Sequence, residues 1–418
     1  MAKRQIFSNA NAKKSIVIPT LKKCQKKVRR FQKQILKAWL AKDVAKLEYV
    51  CQQLMNSFEV TYLAVKTSTR GKKGMTPGVD GVKLITQADK IRAANLMQRV
   101  EGYRAKPLRR IYLDKETGQP LTAPWDPDKK TRPISMLTQY DRIMQTKAKW
   151  ALEPITEYIA DQYSYGFRPK RSAKDALNHC QNLVRRNPDL QYVLEGDIKA
   201  CFDEINHQVI LDLIPIWYLK PLVKQWLTCG SVFNGELSEP QERGTPQGSI
   251  LSPLLANLVL DGMEGISMRF PGCYFVRYAD DFIVFSKENS NELLTLKLDD
   301  MILSEVKEKL SGFLAERGLT LSPEKTLTTS ILEGFDFLGV RLQSDDQNMK
   351  LKPSKKSIER LLAKIDLIWA KTDSASRDEF NLKIEQSFQG WVGYHKGWLK
   401  QEDVQEVRRR IQIVSERL

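Results

Sequence analysis

An α+β chain with a basic helical head and a helical tail is what the amino-acid order predicts, and three observations predict it. Apolar residues recur near helical spacing through the first 70 residues and again after Lys352. Between these regions, short runs rich in aromatic and β-branched residues alternate with helical stretches, most clearly from Val232 to Leu342. Gly- and Pro-containing breaks separate the regimes, beginning with the basic loop TSTRGKKGMTPGVDGV at 67–82.

In chain order, residues 1–70 read as mostly helical. LKKCQKKVRRFQKQILKAWLAK sets Leu21, Val28, Phe31, Ile35, Leu36 and Trp39 near helical spacing among its cations. Beyond the 67–82 loop a helical pattern runs to Arg104. LRRIYLDKETGQP and KKTRPISM read as two strands joined by the polar segment 114–128. Residues 139–160 and 172–186 are helical in pattern, QYVLEGDI (191–198) is a strand, and helices occupy much of 206–228. The apolar run after Ser252 reads as a buried helix. In CYFVRYADDFIVFSK (273–287) two β-rich runs flank Asp280 and Asp281, the pattern of a hairpin. The tail from Lys352 to Leu418 carries three helical patterns and no strand signal.

Composition narrows the class. Of 418 residues, 42% are hydrophobic and 28% charged, as in a globular protein with a real core. No run approaches the roughly 18–20 apolar residues that cross a bilayer, and the basic N-terminus lacks the apolar core of a signal peptide, so a cytoplasmic protein is expected. The six cysteines are far apart with no C-x-x-C pair, which predicts free thiols. Only His179, His207 and His395 are histidines, which argues against a zinc site. The net charge is +17, and residues 1–75 hold 18 Lys or Arg against 3 acidic residues. An excess so local calls for a polyanion, with nucleic acid first and a membrane surface second, since Gln and Lys break the apolar face. Lys22, Lys23, Lys26, Lys27, Arg29 and Arg30 form the densest cluster.

The chemistry is suggested by carboxylates at strand ends. Asp280 and Asp281 occupy a hairpin tip, where a solvated turn is the plain alternative, and Asp197 ends the strand of YVLEGDIKACFDEINH, where a helix cap is the alternative. If the two strands are neighbours, the acids meet at one sheet edge and raise one another's pKa. Divalent cations relieve that repulsion, and Mg2+ accepts oxygen ligands while keeping room for phosphates. Between these acids, RGTPQGSILSPLLANLVLDGME (243–264) opens on Gly244, Pro246 and Gly248, small residues that either build a structural loop or let a nucleic-acid strand come close to the backbone.

With these motifs in place, the chain resembles reverse transcriptases of the bacterial, group II intron-like lineage. The resemblance rests on Tyr278-Ala279-Asp280-Asp281, on Asp197 upstream and on Gly244-Thr245-Pro246-Gln247-Gly248 between them. It extends through TPGVDG (76–81), RPISM (132–136), YSYGFRPKRSAKDAL (163–177), LSPEKT (321–326), FDFLGVRL (335–342) and QGWVGYHKGW (389–398). It implies a right-hand polymerase of fingers, palm with an antiparallel sheet, and helical thumb. The corresponding limits are a basic N-terminal extension at 1–82, mainly fingers at 83–190, mainly palm at 191–345 and an X-like thumb at 346–418.

By the same resemblance Asp197, Asp280, Asp281 and the Ile198 carbonyl hold two Mg2+ ions. Phe202 excludes a 2′-hydroxyl; Arg109, Lys115 and Arg132 hold the incoming triphosphate; Gln247 lies beside template and nucleotide; and Lys325 lies near the pyrophosphate as a general acid. Phe337, Leu338 and Gly339 form the primer grip. A structured RNA is expected on the head and on thumb cations, with Lys352, Lys355, Lys356, His395, Lys396, Arg408, Arg409 and Arg410 as candidates. Partners are then an RNA template, a DNA product or primer and dNTPs. Three departures stand out: the stretch from Lys115 to Arg132 is longer than usual, Ser249 stands where Gly is common, and the chain stops after the third thumb helix without a nuclease module. That ending favours a stand-alone, defence-associated enzyme with its own non-coding RNA over a compact intron maturase. A catalytically silent RNA-binding protein is opposed by the intact acidic triad.

Overall fold

The structure, a computed structural model, describes residues 18–114, 120–121, 131–287, 298–345, 348–370 and 377–416. The head forms α1 (Leu21–Leu40), α2 (Val44–Met55) and α3 (Phe58–Ser68). Thr20 and Asp43 start the first two helices by accepting the N–H of Lys23 and Lys46 at 3.3 and 3.0 Å. Cys24, Val28, Ile35 and Ala38 line the buried face of α1, which leaves Lys22, Lys23, Lys26, Arg29, Arg30, Lys33 and Lys37 exposed and Lys27 half-buried over the Phe31 ring. At helical pitch those seven exposed cations fall in one stripe roughly 120° wide and about 22 Å long.

The chain continues through α4 (Gly71–Gly74) and α5 (Gln87–Leu96), the latter opened by a reciprocal capping box between Thr86 and Asp89. β1 (Leu108–Asp114) and β2 (Thr131–Met136) pair antiparallel as the sequence predicts. The long helix α6 (Gln139–Ile159) buries Ile143, Met144, Ala148, Leu152 and Ile155 and packs against all three head helices. The head therefore belongs to the main core rather than lying apart from it. α7 (Ala173–Arg186) leads into β3 (Leu190–Asp197). Next come α8 (Cys201–Glu204), α9 (His207–Leu213), a 3-10 turn (Trp217–Leu219), α10 (Lys220–Leu227) and the hairpin β4 (Ser231–Phe233) with β5 (Glu236–Ser238).

The second half holds α11 (Ser252–Leu260), α12 (Met263–Ser267), β6 (Tyr274–Tyr278), β7 (Asp281–Lys287) and α13 (Leu298–Ala315). Four strands follow, β8 (Leu327–Ser330), β9 (Phe335–Phe337), β10 (Val340–Asp345) and β11 (Asn348–Pro353). The tail is three helices, α14 (Lys355–Ala370), α15 (Arg377–His395) and α16 (Gln401–Glu416), closed around Ile365, Phe380, Phe388, Trp391 and Val407.

Three sheets result. The central one runs β6-β7-β3-β8 and is antiparallel throughout; the others run β2-β1-β4-β5 and β11-β10-β9. β7 explains why its sequence is a continuous apolar run rather than an alternation. Phe282 and Val284 face the main core, whereas Ile283 and Phe285 face a second core beneath α7 and β9–β11. The α+β class is thus the one predicted, and its layers are those of a right-hand polymerase: finger strands, a helix-backed palm sheet and a helical thumb. All six cysteines are free thiols, five of them buried. Among the described residues no helix is long and apolar enough to cross a membrane.

Candidate active site

Antiparallel register brings the carboxylates together. Asp197, the last residue of β3, lies directly opposite Asp281, the first of β7, so both side chains leave the same face of the sheet. Tyr278 pairs with Asp281, which makes Ala279 and Asp280 a two-residue hairpin turn. Past the strand end, the Lys199 N–H donates to the Thr320 carbonyl at 2.9 Å and the Ser322 N–H to the Asp197 carbonyl at 2.8 Å. Ile198 and Leu321 are therefore a non-hydrogen-bonded pair, and the Ile198 carbonyl points the other way, past the end of β7 toward the Asp280 turn.

The electrostatics favour a cation. Burial pushes Asp281 up to about 6, with Asp280 and Asp197 adding repulsion. Burial also raises Asp280, Asp197 adds to that, and Lys325 and Arg132 oppose it. Lys325 Nζ lies 3.0 Å from Asp197 Oδ2 and is the positive charge the cluster holds. Arg360 of α14 is close enough to act on Asp281, a thumb contribution that nothing in the local sequence announces. Among the described residues no three Asp, Glu, His or Cys side chains are arranged so that they could hold a metal ion by themselves. The donor set nevertheless fits a hard divalent ion, which typically takes one or two carboxylates and completes its shell with water and phosphate oxygens.

A buried network holds the Ala279–Asp280 turn. Ala279 adopts the left-handed φ of 59°, unusual for a residue with a side chain, so the turn needs outside support. Arg277, fully buried, donates from Nη1 to the Ala279 carbonyl at 3.2 Å and to Asn257 Oδ1 at 3.0 Å, and from Nη2 to Asp261 Oδ1 at 2.7 Å. Asn257 Nδ2 in turn donates to the Gly166 carbonyl at 2.8 Å. Gly166 itself lies against the turn, where a Cβ would stand 2.3 Å from the Ala279 nitrogen. Sequence reasoning missed Arg277, Asn257, Asp261 and Gly166 as parts of the site. The available signals were an arginine within an apolar strand, an Asn within an apolar helix and an Asp just past its end.

The nucleotide-contact candidates sort by face. Arg109 and Arg132 lie on one face of the β1–β2 ribbon, with Arg109 opposite Met136 and Arg132 opposite Leu113. The charge of Arg132 reaches Asp280, whereas Arg110, Tyr112 and Pro133 lie on the opposite face of the ribbon. The Arg109 Nε is buried without a partner, and its Nη2 lies 3.3 Å from Met136 Sδ. Lys115 lies outside the described residues. Phe202 is half-buried, edge-on to Phe167 at 6.2 Å between ring centroids, and lines a cleft with Tyr112, Pro133 and Gln247. Gln247 is braced twice: Nε2 donates to the Asp203 carboxylate at 3.2 Å, and its carbonyl accepts the Ser135 N–H at 2.7 Å. The glycines beside it correct the expectation of a close nucleic-acid strand. A Cβ on Gly244 would stand 2.6 Å from the Asp203 carbonyl oxygen, and one on Gly248 2.5 Å from that of Ser135, so their smallness serves packing of protein backbone.

At the thumb, Leu338 and Gly339 form a two-residue turn between β9 and β10 with φ of 52° and 76°. Phe337 is buried in the second core, so only Leu338 and Gly339 of the grip reach the surface. The Tyr394 hydroxyl donates to the Leu338 carbonyl at 2.7 Å, tying α15 to that turn. His395 is a correction. It is fully buried, accepts the Trp398 Nε1–H on Nδ1 at 3.0 Å and meets Ser357 Oγ with Nε2 at 3.1 Å, so it packs the thumb and is closed to RNA. Lys352, Lys355, Lys356, Lys396, Arg408 and Arg409 are exposed and Arg410 half-buried; Lys355 pairs with Glu359, Arg408 with Glu385 and Arg409 with Glu406.

Comparison with known proteins agrees with this geometry. Residues 124–342, more than half of the chain, match the family profile described as reverse transcriptase (RNA-dependent DNA polymerase), and residues 19–97 match that of the N-terminal domain of reverse transcriptase. Protein YkfC of Escherichia coli (strain K12) is 27% identical over 349 residues, covering 73% of this chain and 86% of YkfC. Group II intron-encoded protein LtrA of Lactococcus lactis subsp. cremoris is 24% identical over 411 residues. That match covers 82% of this chain and 65% of LtrA, so the chain spans less than two thirds of LtrA's length. Among solved structures, telomerase from Candida albicans aligns with 84% of this chain and 60% of its own at 12% identity and a TM-score of 0.40, too distant a likeness to carry an argument.

Proposed function

Because the chain belongs to the reverse transcriptase family of RNA-dependent DNA polymerases, we propose that it copies a cognate structured non-coding RNA into cDNA by two-metal nucleotidyl transfer at Asp197, Asp280 and Asp281. The observation that carries this reading is the direct pairing of Asp197 with Asp281 beside the Asp280 turn. Two Mg2+ ions, when bound, would activate the primer 3′-hydroxyl and neutralise the leaving pyrophosphate. The three carboxylates and the Ile198 carbonyl would hold them.

The remaining roles belong to the chain's own groups. Arg132, whose charge reaches Asp280, and Arg109 on the same ribbon face grip the triphosphate, with Lys115 as the third cation of that set. Lys325, already at Asp197, donates charge or a proton to the departing pyrophosphate. The Phe202 ring fills the space a 2′-hydroxyl would need, and Gln247 lines the template. Leu338 and Gly339 hold the primer end, with Phe337 anchoring their hairpin in the core. The division into head (1–82), fingers (83–190), palm (191–345) and thumb (346–418) assigns RNA holding to the first and last.

Two biological settings suit a polymerase with its own RNA. Antiphage defence follows from the sequence reading, whereas intron splicing and mobility is favoured by the likeness to an intron-encoded protein. The polymerase reading itself is tested by replacing Asp280 and Asp281 together with Ala. Primer extension with Mg2+ and dNTPs should vanish while RNA binding persists. Extension at the wild-type rate by the double variant overturns it.

A further inference from the structure

The 3-10 turn between α9 and α10 holds a tryptophan out at the surface. Trp217 is 72% exposed, the most exposed of the large apolar side chains among the described residues. Its backbone is clamped: one carboxylate oxygen of Glu48 on α2 accepts the Trp217 N–H at 2.8 Å and the other accepts the Tyr218 N–H at 2.9 Å. Tyr218 packs on the main core beside it, and Leu219 is fully buried. The turn is thus fastened to the head on one side and to the core on the other, and the ring's exposure comes from a rigid support.

The surroundings of the ring are cationic. Lys220 Nζ lies 5.9 Å from the ring centroid, and exposed Lys224 follows one turn along α10 on the same side. Both oxygens of Glu48, the carboxylate that touches the turn, are engaged by backbone N–H groups. Tyr49, the next residue of α2, is itself 61% exposed. A fixed aromatic face beside lysines suits an unpaired base whose flanking phosphates meet the ammonium groups. Protein interfaces also use tryptophan, but their cores are depleted of lysine, and here a lysine lies over the ring.

We propose that Trp217 is a stacking platform for an unpaired base of RNA, with Lys220 and Lys224 on the adjoining phosphates, a contact apart from the carboxylate cluster. The proposal rests on the reading of the chain as a polymerase that holds an RNA. It is tested with the full chain and a fluorescent, unstructured oligoadenylate RNA. Trp217→Ala should weaken binding about 5- to 150-fold, the loss of one base–aromatic stack, and Trp217→Phe should retain most of the affinity. The salt dependence separates the ring from the lysines. Stacking releases no counterion, so Trp217→Ala should keep the wild-type log–log slope, whereas Lys220→Gln with Lys224→Gln should flatten it by about 1–2. Primer extension on a saturating preannealed RNA–DNA duplex should be unchanged in Trp217→Ala, and extension by the wild-type chain tests the polymerase reading separately. Unchanged RNA affinity in a folded Trp217→Ala protein overturns the proposal. So does self-association of the wild type in sedimentation that Trp217→Ala abolishes, which would make the ring a protein contact.

Discussion

A single methyl group would disturb the Ala279–Asp280 turn more than most surface substitutions. On Gly166 it would stand 2.3 Å from the Ala279 nitrogen, inside any tolerated contact, and both the glycine and the turn are held by the Arg277 and Asn257 network. The turn must therefore move and carry Asp280 with it. Misplacing a catalytic group by about 1 Å costs on the order of 100-fold in rate, so Gly166→Ala should lower kcat for single-nucleotide incorporation by that order while leaving the dNTP KM nearly unchanged. An unaltered kcat would show that the 163–168 loop gives way instead. The convergence of Asp197, Asp280 and Asp281 was legible in the sequence because charge at the end of an apolar strand is conspicuous. Gly166, Asn257 and Arg277 were not, because their roles arise from contacts with segments up to 113 residues away, as with Gly166 beneath Ala279. Local pattern carries no trace of such contacts.

Helices and strands were legible to the extent that their apolar spacing is local. The three thumb helices follow from periodicity, whereas the parallel pairing of β4 with β1 joins segments that no pattern connects. His395 illustrates the difference, since in QGWVGYHKGW nothing marks it as buried. Burial holds its pKa down to about 4, against about 6.5 in an unfolded chain. Between those values the unfolded chain binds the extra proton, so the stabilisation is full above pH 6.5 and is lost as pH falls toward 4, by up to about 3 kcal/mol. Hydrogen-exchange protection factors in α14 and α15 should drop across that window and in His395→Gln should lose the dependence. The head helix makes a separate prediction, since its exposed cations share one stripe. Replacing Lys22, Lys23, Arg29 and Arg30 by Gln should flatten the log–log salt slope of RNA binding by roughly 2–4. A slope that stays put would place the phosphates on another surface.

Across the whole molecule, the net charge of +17 and the basic head explain affinity for RNA better than choice among RNAs. A polymerase site must accept every template base, so under the proposed function selection would fall to RNA shape. RNA crosslinked to the protein in its native host should therefore be dominated by one species, a short transcript encoded beside the gene for a defence enzyme or the intron for a maturase. A broad scatter of transcripts would contradict a cognate partner. The order in which the central sheet is assembled has an effect on synthesis of the protein as well. β3 pairs with β7 and, on its other edge, with β8, and the Asp197 carbonyl is held by the Ser322 N–H. On the ribosome, Asp197 and then Asp280 and Asp281 emerge well before the strand that braces them. A message truncated between Asp281 and Ser330 would thus yield a polypeptide with all three carboxylates but an unsupported sheet edge.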